Sequence, residues 1–106
     1  MPAIGTTAII TAKPEAAGEV ESILTEMAAA TQAEAGCIMY SLNRGIEEPH
    51  VFVTVEKWES ADALRQHLGS PHIAAAMSRT GELLAEAPRI IPTEPRPVGD
   101  DTKNAY

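Results

Sequence analysis

The amino-acid sequence predicts an α+β domain of the ferredoxin-like order β-α-β-β-α-β. Three observations predict it. Residues 4–13, 37–44 and 51–58 alternate with period two. Two stretches between and after them repeat apolar residues at three and four. A five-residue turn, Gly45 to Pro49, joins the second strand to the third, which makes those two an antiparallel hairpin.

The first strand, Ile4 to Lys13, places Ile4, Thr6, Ala8, Ile10 and Ala12 on one face. Pro14 suits the first position of a helix, and Glu15 its positively polarised first turn. Val20, Ile23, Leu24, Met27 and Thr31 form the buried stripe of that helix, and Gly36 is expected to stop it as a left-handed cap. The second strand is Cys37 to Arg44. The third, Val51 to Trp58, has Val51, Val53 and Val55 on one face and Phe52, Thr54, Glu56 and Trp58 on the other. Pairing Leu42 with Phe52 sets Tyr40 opposite Thr54, and turns Cys37 and Met39 to the valine side. Ser60 caps a second helix with Asp62 in its first turn, ending at Gly69. Ser70 and Pro71 restart it. Ile73, Ala76, Met77, Leu83 and Leu84 carry its apolar side, with a kink near Gly81 and an end at Pro88. The fourth strand, Arg89 to Thr93, contains Pro92 and therefore belongs at a sheet edge. Domain limits of 1–94 are expected, with a polar tail over 95–106 that ends frayed or docked on a neighbour from Gly99 to Tyr106.

Composition narrows the function classes. The chain has 106 residues, eighteen of them Ala, and only four aromatics: Tyr40, Phe52, Trp58 and Tyr106. A net charge of −7 with no basic stripe argues against nucleic acid and against an anionic membrane surface. No apolar run approaches the roughly 18 residues of a membrane span. Residues Met1 to Ile10 have no basic leader pattern, so a cytoplasmic location is expected. The lone Cys37 has no disulfide partner in the chain, and three scattered His give no metal-ligand spacing, so no metal is expected. In this fold class the helices cover one sheet face. The valines would then lie bare on the other, and the economical cover is a second copy, so a homodimer is expected.

The run Glu34-Ala-Gly-Cys37-Ile-Met-Tyr40 resembles a recurring block of the antibiotic biosynthesis monooxygenase (ABM) family. Glu56-Lys-Trp58, Ala63-Leu64, His67 and Ser70-Pro-His72 continue it in order. The resemblance is to the quinol-monooxygenase-like branch and covers about residues 4 to 92. It implies a dimeric α+β barrel. It also implies cofactor-independent oxidation of a small quinol, anthrone or phenol by O₂, without metal or flavin. Such chemistry is reasonable, because a deprotonated phenol is itself an electron donor and needs only binding, proton transfer and exclusion of water. Anthrone-oxidising members carry an Asn four residues before the Trp, where this chain has Thr54. The haem-degrading branch carries an Asn on the first strand, and Ile4-Gly-Thr-Thr7 has none, which argues against haem breakdown.

Candidate residues follow. His67 and His72, at the break between the last two helices, are candidates to move a phenolic proton. Trp58, Tyr40 and Phe52 are expected as walls of a substrate pocket left roomy by the alanines. Thr54 would orient a substrate oxygen. Glu56 would bind substrate or be held as a buried, paired charge. Two rival readings use the same fold: a non-catalytic ligand-binding or stress-response module, and an isomerase of a small phosphorylated ligand. The last needs a cationic clamp, for which Arg65 and Arg79 are the candidates.

Overall fold

The computed structural model describes residues 3–104. Met1, Pro2, Ala105 and Tyr106 lie outside the described residues, and with them the expected chain ends, including the tip of the polar tail. The elements are β1 (Ile4–Thr11), a 3-10 turn (Pro14–Ala16), α1 (Ala17–Gln32), β2 (Cys37–Arg44), β3 (Val51–Trp58), α2 (Ala61–Leu68), α3 (Pro71–Thr80) and β4 (Arg89–Thr93). The sheet order is β2-β3-β1-β4 with every neighbour antiparallel. This is the ferredoxin-like arrangement that the order of elements predicts.

The strands bury one face, as period two requires. Thr6, Ala8, Ile10 and Ala12 of β1 are buried, as are Phe52, Thr54, Glu56 and Trp58 of β3. Val20, Ile23, Leu24, Met27, Ala28 and Thr31 of α1 pack over them. The opposite face presents Ile9 beside Val53, Thr7 beside Val55 and Ile91 beside Thr7, with no helix over it among the described residues. Ser60 caps α2 by accepting from the Ala63 amide at 3.1 Å, and Ser70 caps α3 by accepting from the Ile73 amide at 3.4 Å.

Four local expectations are corrected. The β2–β3 register places Leu42 opposite Thr54, Tyr40 opposite Glu56 and Arg44 opposite Phe52. The two-residue shift keeps every side chain on its expected face, because the period is also two. A bulge between Cys37 and Met39 breaks that rule once. Cys37 pairs with Trp58 and packs against the core, while Met39 pairs with Lys57 on the open side. Gly36 is not a left-handed cap. A Cβ there would stand 2.5 Å from the Ala63 Cβ, so glycine lets the α1–β2 turn lie against α2. Finally, α3 ends at Thr80 rather than bending at Gly81. Beyond it the chain is drawn to the sheet by backbone bonds from Lys13 to Leu83 and from Ala85 to Thr11, each 2.8 Å.

Candidate active site

The fold brings together side chains from five elements above the β1–β3–β2 face. Thr6 and Glu56 are cross-strand partners, and so are Glu56 and Tyr40. Three polar side chains therefore stand in a row across the buried face. Helix α2 sets His67 above them, 2% exposed, with its ring centroid 4.5 Å from that of Trp58 and 6.0 Å from that of Tyr40.

The Glu56 carboxylate is 3% exposed and has no cationic partner among the described residues. It is held by two donors instead. Trp58 Nε1 donates to Oε1 at 2.9 Å, and the Thr54 hydroxyl donates to Oε2 at 2.6 Å. Charge-assisted bonds of this kind hold a buried carboxylate without an ion pair. Thr54 in turn accepts from the Ala8 amide at 3.1 Å, so its donor and an acceptor lone pair are both committed within the sheet. Burial, followed by the negative charge of Glu56, pushes the Tyr40 hydroxyl far above the usual tyrosine range. Tyr40 is thus a neutral hydroxyl donor near neutral pH.

His67 is oriented by a residue that the candidate list omitted. Its Nδ1 lies 2.7 Å from Glu34 Oε2, and His72 Nε2 lies 2.8 Å from the same oxygen. A carboxylate only accepts, so both ring nitrogens carry the hydrogen. That fixes the His67 tautomer and leaves Nε2 as its basic nitrogen, with no hydrogen bond to any described residue. The Ser70 hydroxyl donates to the His67 carbonyl at 2.7 Å and pins the break between α2 and α3. Two of the three histidines, His67 and His72, thus meet at one carboxylate oxygen. Glu34 gave one signal: it opens the first block of the family resemblance.

A cavity lies between β1, His67 and α3. Thr6, Ala8, Tyr40 and Glu56 form its floor, and Ile73, Ala76 and Thr80 form its roof. Leu68, Met77 and Ile90 stand at its mouth, 41%, 49% and 43% exposed. Its volume is about 70 Å³, or about 580 Å³ when the open mouth is counted. A cavity of about 150 Å³ takes up benzene, so a ring-sized ligand would fill the enclosed part and extend into the open mouth. The Thr6 hydroxyl, on the cavity floor, is buried and has no hydrogen-bond partner among the described residues. Such groups in folded proteins call for a partner, and a ligand oxygen is one.

Of the expected pocket residues, Tyr40, Glu56 and His67 line the cavity. Phe52 and Thr54 do not. Phe52 is 1% exposed, with the Arg44 guanidinium 5.4 Å from its ring centroid, and Thr54 is 0% exposed. Trp58 stands behind His67 as its support rather than as a wall. His72 reaches Glu34 and not the cavity. Arg65 and Arg79 do not line it either: Arg65 pairs with Asp62 at 2.5 Å on the outside of α2, and Arg79 pairs with Glu26 of α1. Neither offers the cationic clamp of a phosphorylated ligand.

The model of the family described as Antibiotic biosynthesis monooxygenase matches residues 4–79, and the chain belongs to that family. Among its relatives, "Putative monooxygenase Rv0793" of Mycobacterium tuberculosis is 35% identical over 72 residues, covering 68% of this chain and 70% of the relative. "Putative monooxygenase YcnE" of Bacillus subtilis is 30% identical over 87 residues, covering 82% and 92%. The solved structure of Rv0793 superposes with a TM-score of 0.81 at 27% identity, covering 93% of this chain and 98% of that one. A Caulobacter crescentus structure described as "a putative antibiotic biosynthesis monooxygenase" superposes at 0.80 with 34% identity, covering 86% and 87%. Among the described residues, no helix is long and apolar enough to cross a membrane.

Proposed function

We propose that this chain is a cofactor-independent monooxygenase that oxidises a small quinol, anthrone or phenol with O₂ in the cavity under α3. Membership of the family, and relatives named as monooxygenases, support the reaction class. The observation that carries the finer reading is His67: a buried imidazole on the wall of a mostly apolar cavity, its Nδ1 held by Glu34 at 2.7 Å and its Nε2 left without a protein partner. That is the arrangement of a general base whose tautomer is set by a carboxylate.

In this reading His67 Nε2 removes the acidic proton of the substrate. The resulting anion gives its electrons to O₂ and forms a carbon–oxygen bond. His67 returns the proton to the distal oxygen, and loss of water leaves a carbonyl, so the substrate supplies all the electrons. The Tyr40 hydroxyl and the orphaned Thr6 hydroxyl bind the substrate oxygens, and the apolar roof excludes water. Oxygen uptake with a panel of reduced quinones, anthrones and phenols tests this. Expected is uptake above the buffer blank for at least one of them, reduced about 10²-fold or more in His67→Asn, the usual contribution of a general base. Uptake equal to the blank throughout the panel overturns it.

We further propose that the open sheet face is the contact between two copies. Val51, Val53 and Val55 alternate there with Ile9 and Ile91 alongside, and one patch facing its own copy gives a closed two-fold pair. Sedimentation velocity is expected to give a dimer, and a monomer at micromolar concentration sinks the idea.

A further inference from the structure

We propose that Glu34, His67 and His72 form a binding site for one divalent first-row transition ion of the zinc or iron(II) class. One ligand atom from each of the three residues lies within 4.8 Å of the other two, and Glu34 Oε2 stands 2.7 Å from His67 Nδ1 and 2.8 Å from His72 Nε2. Ligand atoms about 2.0–2.1 Å from one ion, at tetrahedral or octahedral angles, stand roughly 2.9–3.4 Å apart. The cluster therefore needs only tenths of an ångström of opening along the two short edges. Two imidazoles and one carboxylate are a donor set that selects zinc or iron(II) over calcium or magnesium.

Three further features favour an ion. The residues come from three different elements, the α1–β2 turn, the last turn of α2 and the first turn of α3, so the site is set by tertiary structure. Ser70, bonded to the His67 carbonyl, fixes the α2–α3 break that brings the two histidines together. The Glu34 side chain is 19% exposed and meets only the two histidines, with no Lys or Arg beside it among the described residues. A carboxylate withdrawn from most of its water is favoured by a cation beside it. His72, 24% exposed, marks the side from which an ion enters and on which water completes its coordination.

The site has a consequence for the proposed base. Neutral imidazole with an ion on Nδ1 carries its hydrogen on Nε2, so His67 changes from acceptor to donor toward the cavity. Loading the site and accepting a substrate proton exclude each other. The binding itself does not depend on the oxidation reading.

The test is titration of the full-length, chelator-stripped chain with Zn²⁺ by calorimetry and with Co²⁺ by visible absorption, without substrate. Expected are one ion per chain and cobalt d–d bands of a four- or five-coordinate nitrogen–oxygen site. His72→Ala and Glu34→Gln should each weaken Zn²⁺ binding at least about tenfold, the loss that even an outer partner of a metal ligand brings. His50→Ala, which alters the imidazole outside the cluster, should leave it unchanged. Circular dichroism checks that each variant is folded. No saturable uptake by the parent chain overturns the proposal, and so does uptake that folded His72→Ala and Glu34→Gln retain in full. Because no substrate is present, failure here leaves the oxygen-uptake result standing, and the reverse also holds.

Discussion

The two faces of the one sheet differ in what they bury. The face under the helices carries aromatic bulk mixed with polar groups: Trp58 and Phe52 next to Glu56, Thr54 and Thr6. The other carries Val51, Val53, Val55, Ile9 and Ile91, with Thr7 among them. Polar groups under the helices are mostly paired, Glu56 by Trp58 and Thr54, His67 by Glu34. Each such pair demands one geometry, whereas valines accept any apolar surface of the right shape. The comparison teaches that alternate residues of the same strands divide the labour. One set specifies a chemical environment, and the other presents an apolar surface that sets few conditions on whatever covers it.

Four substitutions would break or sharpen this contrast. The largest effect is expected from Val53→Asp on the open face. A two-fold contact would bury the new charge twice, at a cost of about 3–5 kcal/mol for each unpaired charge. Sedimentation should show the dimer replaced by a folded monomer, and an unchanged assembly would mean this face is not the contact. Trp58→Ala comes next. Trp58 is fully buried, its ring tilted against that of His67, so its loss should cost about 3–5 kcal/mol in urea unfolding. A cost below about 1 kcal/mol would show that the covered face is loosely packed.

Thr6→Val is expected to act in the opposite direction. It replaces an unpartnered buried hydroxyl with a methyl of similar shape and should raise stability by about 1 kcal/mol. In the proposed reaction it should raise KM as well. A loss of stability would show that Thr6 has a bonding partner in solution. The smallest effect belongs to Tyr40. Its pKa is raised in the folded chain, so the folded state holds the hydroxyl proton at pH values where the unfolded chain releases it. This contribution is fully present below about pH 10, the unfolded value, and fades as pH rises further. Tyr40→Phe should therefore flatten the alkaline limb of stability against pH. An unchanged limb would place the tyrosine in water.

Much of this was legible in the sequence. Period two in residues 51–58 names both faces, and Ser60 and Ser70 announce their helices. The hairpin register was not legible, since shifting it by two residues leaves every apolar residue on the same side. The bulge at Cys37 was not, because nothing in Cys-Ile-Met distinguishes one extra residue. At the candidate site, His67 and His72 were visible as chemistry. Glu34 was not chosen, since a carboxylate at the end of an amphipathic helix looks like solvated surface until α2 and α3 fold over it. The commitment of Thr54 to Glu56 and Ala8 was hidden for the same reason: the chain order does not state who pairs with whom. Phe52 shares a face with Trp58, but the cavity lies on that face toward α3 and the β4 edge, away from the Arg44–Phe52 corner at β2.

The bulge in β2 also decides how a sulfur ages. By turning Cys37 toward the core, it places the thiol where burial, and then the charges of Glu34 and Glu56, raise its pKa. Oxidants attack thiolate, and a thiol that keeps its proton climbs the ladder to sulfenic and sulfinic acid slowly. The proposed oxidation passes through a hydroperoxide close by. One extra residue in an edge strand thus gives its single sulfhydryl redox quiet beside such chemistry.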